Sequence, residues 1–274
     1  MTSMKWTFTA DVEEYASAAE PWLLRDPVRN TIMLTVLRGI RSGQFTADPL
    51  LAWLEDGDAV AGAACQTPPY PLALGDVPLA GLPPLARDLI ELDHDVPAVG
   101  GPVAVAEAFA SAWWRPETRR RAERLYRLGP LRAPSAPGKP RVAGADDLST
   151  AVRFFREFQH EAHVDHTADP TPVVAARVNR EELIVWEDDD RPVSIAGVSA
   201  PIAGMSRIGP VYTPPELRGR GYGSAVTHAA SRKALDDGAA EVLLFTDLGN
   251  PTSNSIYQRL GYRPIADYAT IHFR

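Results

Sequence analysis

The chain has 274 residues, 45% hydrophobic and 23% charged, with 35 acidic against 28 basic residues and a net charge of −7. That length is comfortable for two domains, and the composition is that of a globular protein. The acidic balance does not favour nucleic acid as the main partner, and no uncharged run approaches the ~18 residues of a membrane helix, so a soluble cytoplasmic protein is expected.

In chain order, Asp11–Leu24 and Val28–Arg41 carry helical patterning. The N-terminal segment Met1–Glu20 holds Asp11, Glu13, Glu14 and Glu20 and has no apolar run of the kind a signal sequence needs. Leu50–Leu54 and Ala59–Gln66 read as a hairpin about Glu55-Asp-Gly-Asp58. Within it the lone Cys65, among Ala61, Ala63 and Ala64, reads as a small buried hydrophobe; a single cysteine also excludes internal disulfides and multi-cysteine zinc sites. Leu85–Leu92 and Pro102–Ala112 read as helices, and Arg124–Leu128 as a strand. Trp113-Trp114 with Arg115, Arg119, Arg120 and Arg121 reads as a helix with a buried face and a salt-bridged face, in preference to a nucleic-acid surface.

Leu131–Gly144 contains three prolines and two glycines and reads as a linker. Beyond it, Asp146 and Asp147 can cap a helix through Leu148, Val152, Phe155 and Phe158. Leu183–Trp186, Pro192–Ala200 and Ile202–Tyr212 follow as strands, the first two joined by a turn at Asp188–Arg191. A helix over Gly221–Gly238, a strand over Glu241–Thr246, a helix over Thr252–Leu260 and a strand over Tyr268–Phe273 complete the chain. The first half carries a looser version of this order. The expected fold is therefore α/β with a mixed sheet: domains at residues 1–130 and 144–274, linker 131–143, each domain a mostly antiparallel sheet flanked by helices.

The strongest chemical signal is Val211-Tyr-Thr-Pro-Pro-Glu-Leu-Arg-Gly-Arg-Gly-Tyr-Gly-Ser-Ala225, which follows a strand and opens a helix. Gly219, Gly221 and Gly223 let the backbone approach a ligand, and the N–H groups of Arg218–Ser224 lie where helix-terminal donors favour an anion. Arg218 and Arg220 add full charges, so the segment suits a pyrophosphate. It is not a Walker A loop, because Gly-Lys-Ser/Thr is missing, and its glycine spacing is not that of a dinucleotide fingerprint.

Arg218-x-x-Gly221-x-Gly223 resembles the Arg/Gln-x-x-Gly-x-Gly/Ala pattern of the GNAT superfamily of N-acetyltransferases. A second stretch, Asn250-Pro-Thr-Ser-Asn-Ser-Ile-Tyr257-Gln-Arg-Leu-Gly261-Tyr262, resembles that family's Asn-x-x-Ala-x-x-x-Tyr-x-x-x-Gly-Phe, with Ser253 in place of Ala and Tyr262 in place of Phe. The resemblance covers about the last 130 residues. It implies acetyl-CoA as cosubstrate and no metal. It also implies that the strand ending at Val211, Tyr212 and Thr213 splays from the next one to admit the pantetheine arm. The pyrophosphate would lie on Arg218, Gly219, Arg220, Gly221, Tyr222, Gly223 and Ser224, and Asn250 and Ser253 would contact the same cofactor. Tyr257 would be the general acid, and backbone N–H near Val211 would polarise the acetyl carbonyl. The acceptor implied is a primary amine of a small molecule; a coenzyme A-binding regulatory protein with little turnover is the alternative, and a homodimer stays open.

Other readings stand beside these. Asn250 before Pro251 is also a turn former, and Tyr257 could simply pack against the sheet. Glu161, Glu187 and Asp247 are candidate bases, a water chain being as good. His160, His163 and His166 with Glu161 and Asp165 suit an acceptor-side contact or a polar helix end better than a metal. The first half lacks the basic loop: Gly75–Leu85 has no basic residue and carries Asp76. Residues 1–130 are therefore expected to be a degenerate GNAT-like domain that does not bind coenzyme A.

Overall fold

The computed structural model describes residues 4–45, 47–162 and 169–274. They divide into two compact units. The first comprises Met1–Leu125, Asp247–Gly249 and Ala266–Arg274; the second comprises Tyr126–Thr246 and Asn250–Ile265. The expected split at 131–143 therefore assigns the last nine residues differently from their contacts.

In the first unit β1 (Met4–Thr9) leads into α1 (Val12–Leu23) and α2 (Thr31–Arg41). Asp11 caps α1, its Oδ1 accepting from the Glu13 and Glu14 N–H groups at 2.8 and 3.2 Å. The hairpin of β2 (Leu50–Asp56) and β3 (Ala59–Gln66) turns at Gly57, where φ is +63°. Next come β4 (Leu72–Leu74), α3 (Leu82–Glu91), β5 (Ala98–Pro102), α4 (Val103–Ala112) and β6 (Glu117–Leu128). Strands β1 to β4 pair antiparallel in sequence order, and β4 pairs parallel with β5. The other neighbour of β5 comes from the end of the chain: Tyr268–His272 of β12 (Tyr262–Phe273) run antiparallel to Ala98–Pro102. Ala269, Ile271 and Phe273 accordingly sit in one core with Trp6, Leu54, Leu72, Leu85 and Phe109.

The basic run corrects the sequence reading. Helix α4 stops at Ala112, and Arg119, Arg120 and Arg121 lie in β6, not on a helix. Trp113 is buried, stacked on Phe109 with centroids 5.5 Å apart, whereas Trp114 is exposed beneath the Arg115 guanidinium. Cys65 is buried as expected, and burial pushes its thiol up to about 12, far from a reactive thiolate.

The second unit holds β7 (Lys139–Val142), α5 (Leu148–Glu161), α6 (Thr171–Asn179), β8 (Leu183–Asp188), β9 (Arg191–Val198), β10 (Met205–Tyr212), α7 (Tyr222–Asp236), β11 (Glu241–Asp247) and α8 (Pro251–Leu260). Strand β7 lies inside the stretch expected to be linker. It pairs antiparallel with β8, and Pro140 is tolerated because the strand is at the sheet edge. The β8–β9 turn holds Asp189 and Asp190 at φ +49° and +57°, the left-handed pair a two-residue hairpin requires.

Two apolar clusters flank this sheet. Val226, Ala230 and Ala234 of α7 and Tyr257 and Leu260 of α8 pack with Ile208, Val242, Leu244 and Tyr126. Val152, Phe154 and Phe155 of α5 and Val174 and Val178 of α6 pack with Leu183, Ile195 and Tyr212. Val211 abuts the first cluster and its neighbour Tyr212 sits in the second, as alternation along a strand requires. Among the described residues no helix is long and apolar enough to cross a membrane.

Candidate active site

The site starts at the end of β10. Its parallel ladder with β11 runs from Met205↔Glu241 to Ile208↔Leu244, four residues short of the end of β10. On the other side, β10 spends three residues against two of β9 between Ile208↔Val198 and Val211↔Ala196, a bulge of one residue. Beyond it Ser194 ties down the strand end: its hydroxyl donates to Tyr212 O at 2.8 Å and lies 2.8 Å from Thr213 Oγ1.

The loop then turns through a short 3-10 segment, Pro215–Leu217, and enters α7. Gly219 and Gly221 stand at φ +79° and +85°, a conformation that a side chain would strain. Gly221 occupies the cap position, so no side chain accepts from the first N–H groups of α7. A bare helix start of this kind, 15 residues long and with an open face at Gly219, suits an anion. Tyr222 is buried and donates its hydroxyl to the Asp188 carboxylate, which raises its pKa. Gly223 and Ser224 occupy the first turn.

Arg218 is engaged within the protein. Its Nε donates to Thr213 O at 2.9 Å and its Nη2 pairs with Glu161 at 2.6 and 2.9 Å. Glu161 also accepts from the Tyr212 hydroxyl at 3.1 Å, and burial followed by this bond raises the tyrosine's pKa. One carboxylate at the end of α5 thus anchors both ends of the loop. No local signal could have found it, since Glu161 is 57 residues from Arg218.

The second motif forms α8. Asn250 is its N-cap, its Oδ1 accepting from Ser253 N–H at 3.0 Å. The Ser253 side chain hydrogen-bonds the Tyr257 hydroxyl one turn on. Tyr257 is only 9% exposed, meets Tyr262 edge-on at 6.1 Å, and burial pushes its pKa up to about 12. Helix α8 is steadied further by Tyr126, whose hydroxyl donates to Asn254 Oδ1 at 3.0 Å and accepts from Gln258 Nε2 at 3.2 Å.

The three candidate bases fare differently. Glu187 is held by Arg141 at 3.2 Å and lies 3.9 Å from Lys139. Glu161 is taken by Arg218 and Tyr212. Asp247 accepts from Gly249 N–H at 2.6 Å and belongs to the first unit. His160 lies in the last turn of α5, whereas His163, Asp165 and His166 lie outside the described residues.

In sequence, the acetyltransferase (GNAT) family matches residues 149–262. A mycothiol acetyltransferase of Kocuria rhizophila is 27% identical over 260 residues, spanning 81% of this chain and 83% of that protein. In fold, a GNAT-family acetyltransferase from Colwellia psychrerythraea superposes with a TM-score of 0.64 at 12% identity, covering 98% of this chain and 100% of the other. A tandem GNAT protein of clavulanic acid biosynthesis superposes at 0.60 and 12% identity, covering 98% of each chain. These likenesses extend the fold over both units.

Proposed function

We propose that the chain carries an acetyltransferase domain of the GNAT family over residues 149–262 and moves an acetyl group from acetyl-CoA to a primary amine of a small molecule by direct attack. The observation that carries this reading is the bare N-terminus of α7 beside a β10 strand that has parted from β11. Bound acetyl-CoA would supply the activated acetyl group. The relative named mycothiol acetyltransferase supports acetyl transfer as the reaction.

On this reading the backbone of Val211, Tyr212 and Thr213 takes the pantetheine arm as a sheet takes an added strand. The N–H groups of Gly219, Arg220, Gly221, Tyr222, Gly223 and Ser224 take the pyrophosphate, with Arg220 adding charge. Arg218 first shapes the loop, through Thr213 and Glu161, and adds its charge second. Asn250 and Ser253 set α8 and through it Tyr257. Tyr257, protonated across the neutral range, donates toward the departing sulfur, and Val211 N–H polarises the acetyl carbonyl. The acceptor's ammonium, with a pKa near ~10, loses its proton through water, because Glu187 and Glu161 are held by arginines.

The test is direct. Acetyl-CoA should raise the melting temperature of the wild type and not of an Arg218→Ala/Arg220→Ala variant; no shift in the wild type refutes the site. Tyr257→Phe should lower kcat about 100-fold or more while costing no more than about 1 kcal/mol of stability. Thiol release across a panel of amines, followed with both proteins, measures the rate effect. Full activity of the variant removes Tyr257 from the chemistry.

A further inference from the structure

Among the described residues, two arginines on the α5–α6 side of the second unit lack an answering carboxylate. Arg177 of α6 reaches onto the strands, where its Nη1 donates to Gly209 O at 3.1 Å and its guanidinium carbon lies 5.9 Å from the centre of the Phe155 ring. Gly197 of β9 makes the room: a Cβ there would run into both Arg177 Nη1 and Gly209 O. Arg207 stands two residues before Gly209 on β10, whose carbonyl Arg177 holds, and both arginines are partly buried. Burial, then Arg177, lowers the pKa of Arg207 to about 10; burial also lowers that of Arg177, offset only in part by Glu182. The carboxylate of Glu182 is already bound, to Arg180 at 2.8 Å and to the Ala200 N–H at 3.3 Å. Among the described residues neither Arg177 nor Arg207 forms an ion pair, and of the five donors on each guanidinium only the one to Gly209 is used.

Like charges withdrawn from water are costly unless an anion answers them. Here the chain gives up a side chain at position 197 to seat one of them, and it seats both next to the bulge that ends at Val211. Planar guanidinium forks match carboxylate oxygens in a way a lysine pair would not.

We propose that Arg177 and Arg207 bind a carboxylate on the acceptor, so that the amine this domain prefers is a small amino acid or a similar amine bearing a carboxylate. The proposal rests on the acetyltransferase reading above. It places specificity on the α6 side of β10, opposite the α7–α8 cluster that holds Tyr257.

The test compares amines in matched pairs: β-alanine with β-alaninamide, glycine with glycinamide, and phosphoethanolamine with ethanolamine. In the wild type the acid should exceed its amide in kcat/KM by about 10–100-fold, most of it in KM. Arg207→Gln should collapse that ratio toward unity, and Arg177→Gln should do the same. Both variants should keep the melting shift with acetyl-CoA, which reports an intact fold. Equal use of acid and amide by the wild type, or an unchanged ratio in Arg207→Gln, overturns the proposal; preference for phosphoethanolamine alone replaces carboxylate by phosphate and overturns it too. If no amine in the panel reacts, calorimetry with succinate decides: binding to the wild type and not to Arg207→Gln supports the site, and no binding refutes it. Failure of the acetyltransferase reading shows separately, as no melting shift with acetyl-CoA.

Discussion

Arg218 shows how far a residue's type predicts its role. Its position in the loop marked it for phosphate, yet in the fold it holds Thr213 O and Glu161. Arg218 and Glu161 are 47% and 41% exposed, so their pairing contributes at most about 1 kcal/mol to stability. On the proposed reading its weight falls on the ligand instead, because Glu161 would compete with the pyrophosphate for the same cation. Glu161→Gln keeps an acceptor for the Tyr212 hydroxyl but removes the competing charge. We expect it to tighten acetyl-CoA binding about 2–10-fold by calorimetry while lowering stability by less than about 1 kcal/mol. Weaker binding would mean that the carboxylate serves the ligand directly. Asn250 is similar: its side chain caps α8, so the turn-forming reading of Asn-Pro is present whatever else the residue does.

At the scale of elements, the start of α7 and the anchoring of β7 carry the predictions. Gly221→Ala would strain a residue at φ +85° and bring a Cβ within 2.9 Å of Ser135 O. It should cost about 1–3 kcal/mol in denaturant unfolding and abolish the melting shift with acetyl-CoA. Strand β7 is held to α5 by Arg141, which pairs with Asp147 at 2.5 and 2.8 Å and with Glu187 at 3.2 Å. The Arg141 guanidinium, helped by Gly144 N–H, holds the Asp147 carboxyl below the usual carboxylate range. A depressed pKa in the folded state means that this stability is present above the unfolded value and is lost as pH falls through the folded one. The loss should therefore begin below about pH 4 and be smaller in Asp147→Asn, a variant already weaker at neutral pH by about 1–3 kcal/mol. Urea midpoints between pH 7 and 3 measure both effects. The strand itself escaped the sequence reading because its prolines and short length look like linker, and its partner β8 begins about 40 residues on.

Across the whole molecule, each unit is completed by residues from the other half of the sequence. Ala269, Ile271 and Phe273 belong to the core of the first unit, and Tyr126 to that of the second. Burial of one large apolar side chain contributes about 1.5–3 kcal/mol, against a total stability of about 5–15 kcal/mol for a domain. Deleting Ala266–Arg274 should therefore unfold the first unit, at the opposite end of the chain, and limited proteolysis should cut within residues 4–125 first. Resistance of that region in the truncated protein would contradict the assignment. A fragment of residues 144–274 lacks β7 and Tyr126 and should fail to fold, although the sequence alone made it the natural piece to isolate. What the sequence determined by itself is local: the glycine positions that need left-handed backbone, the Asn250–Tyr257 spacing along one helix, the hairpin at Asp189-Asp190. These are legible because backbone conformation and helical period act over a few residues. Only the tertiary structure decided that Glu161 holds Arg218 and that the final strand completes the first unit. Arg177 finding its seat at Gly197 and Gly209 belongs to the same class. Those pairings join residues from about 20 to more than 200 positions apart, where ionic and apolar attraction is satisfied by any complementary partner the chain brings near and leaves no periodic mark on the sequence.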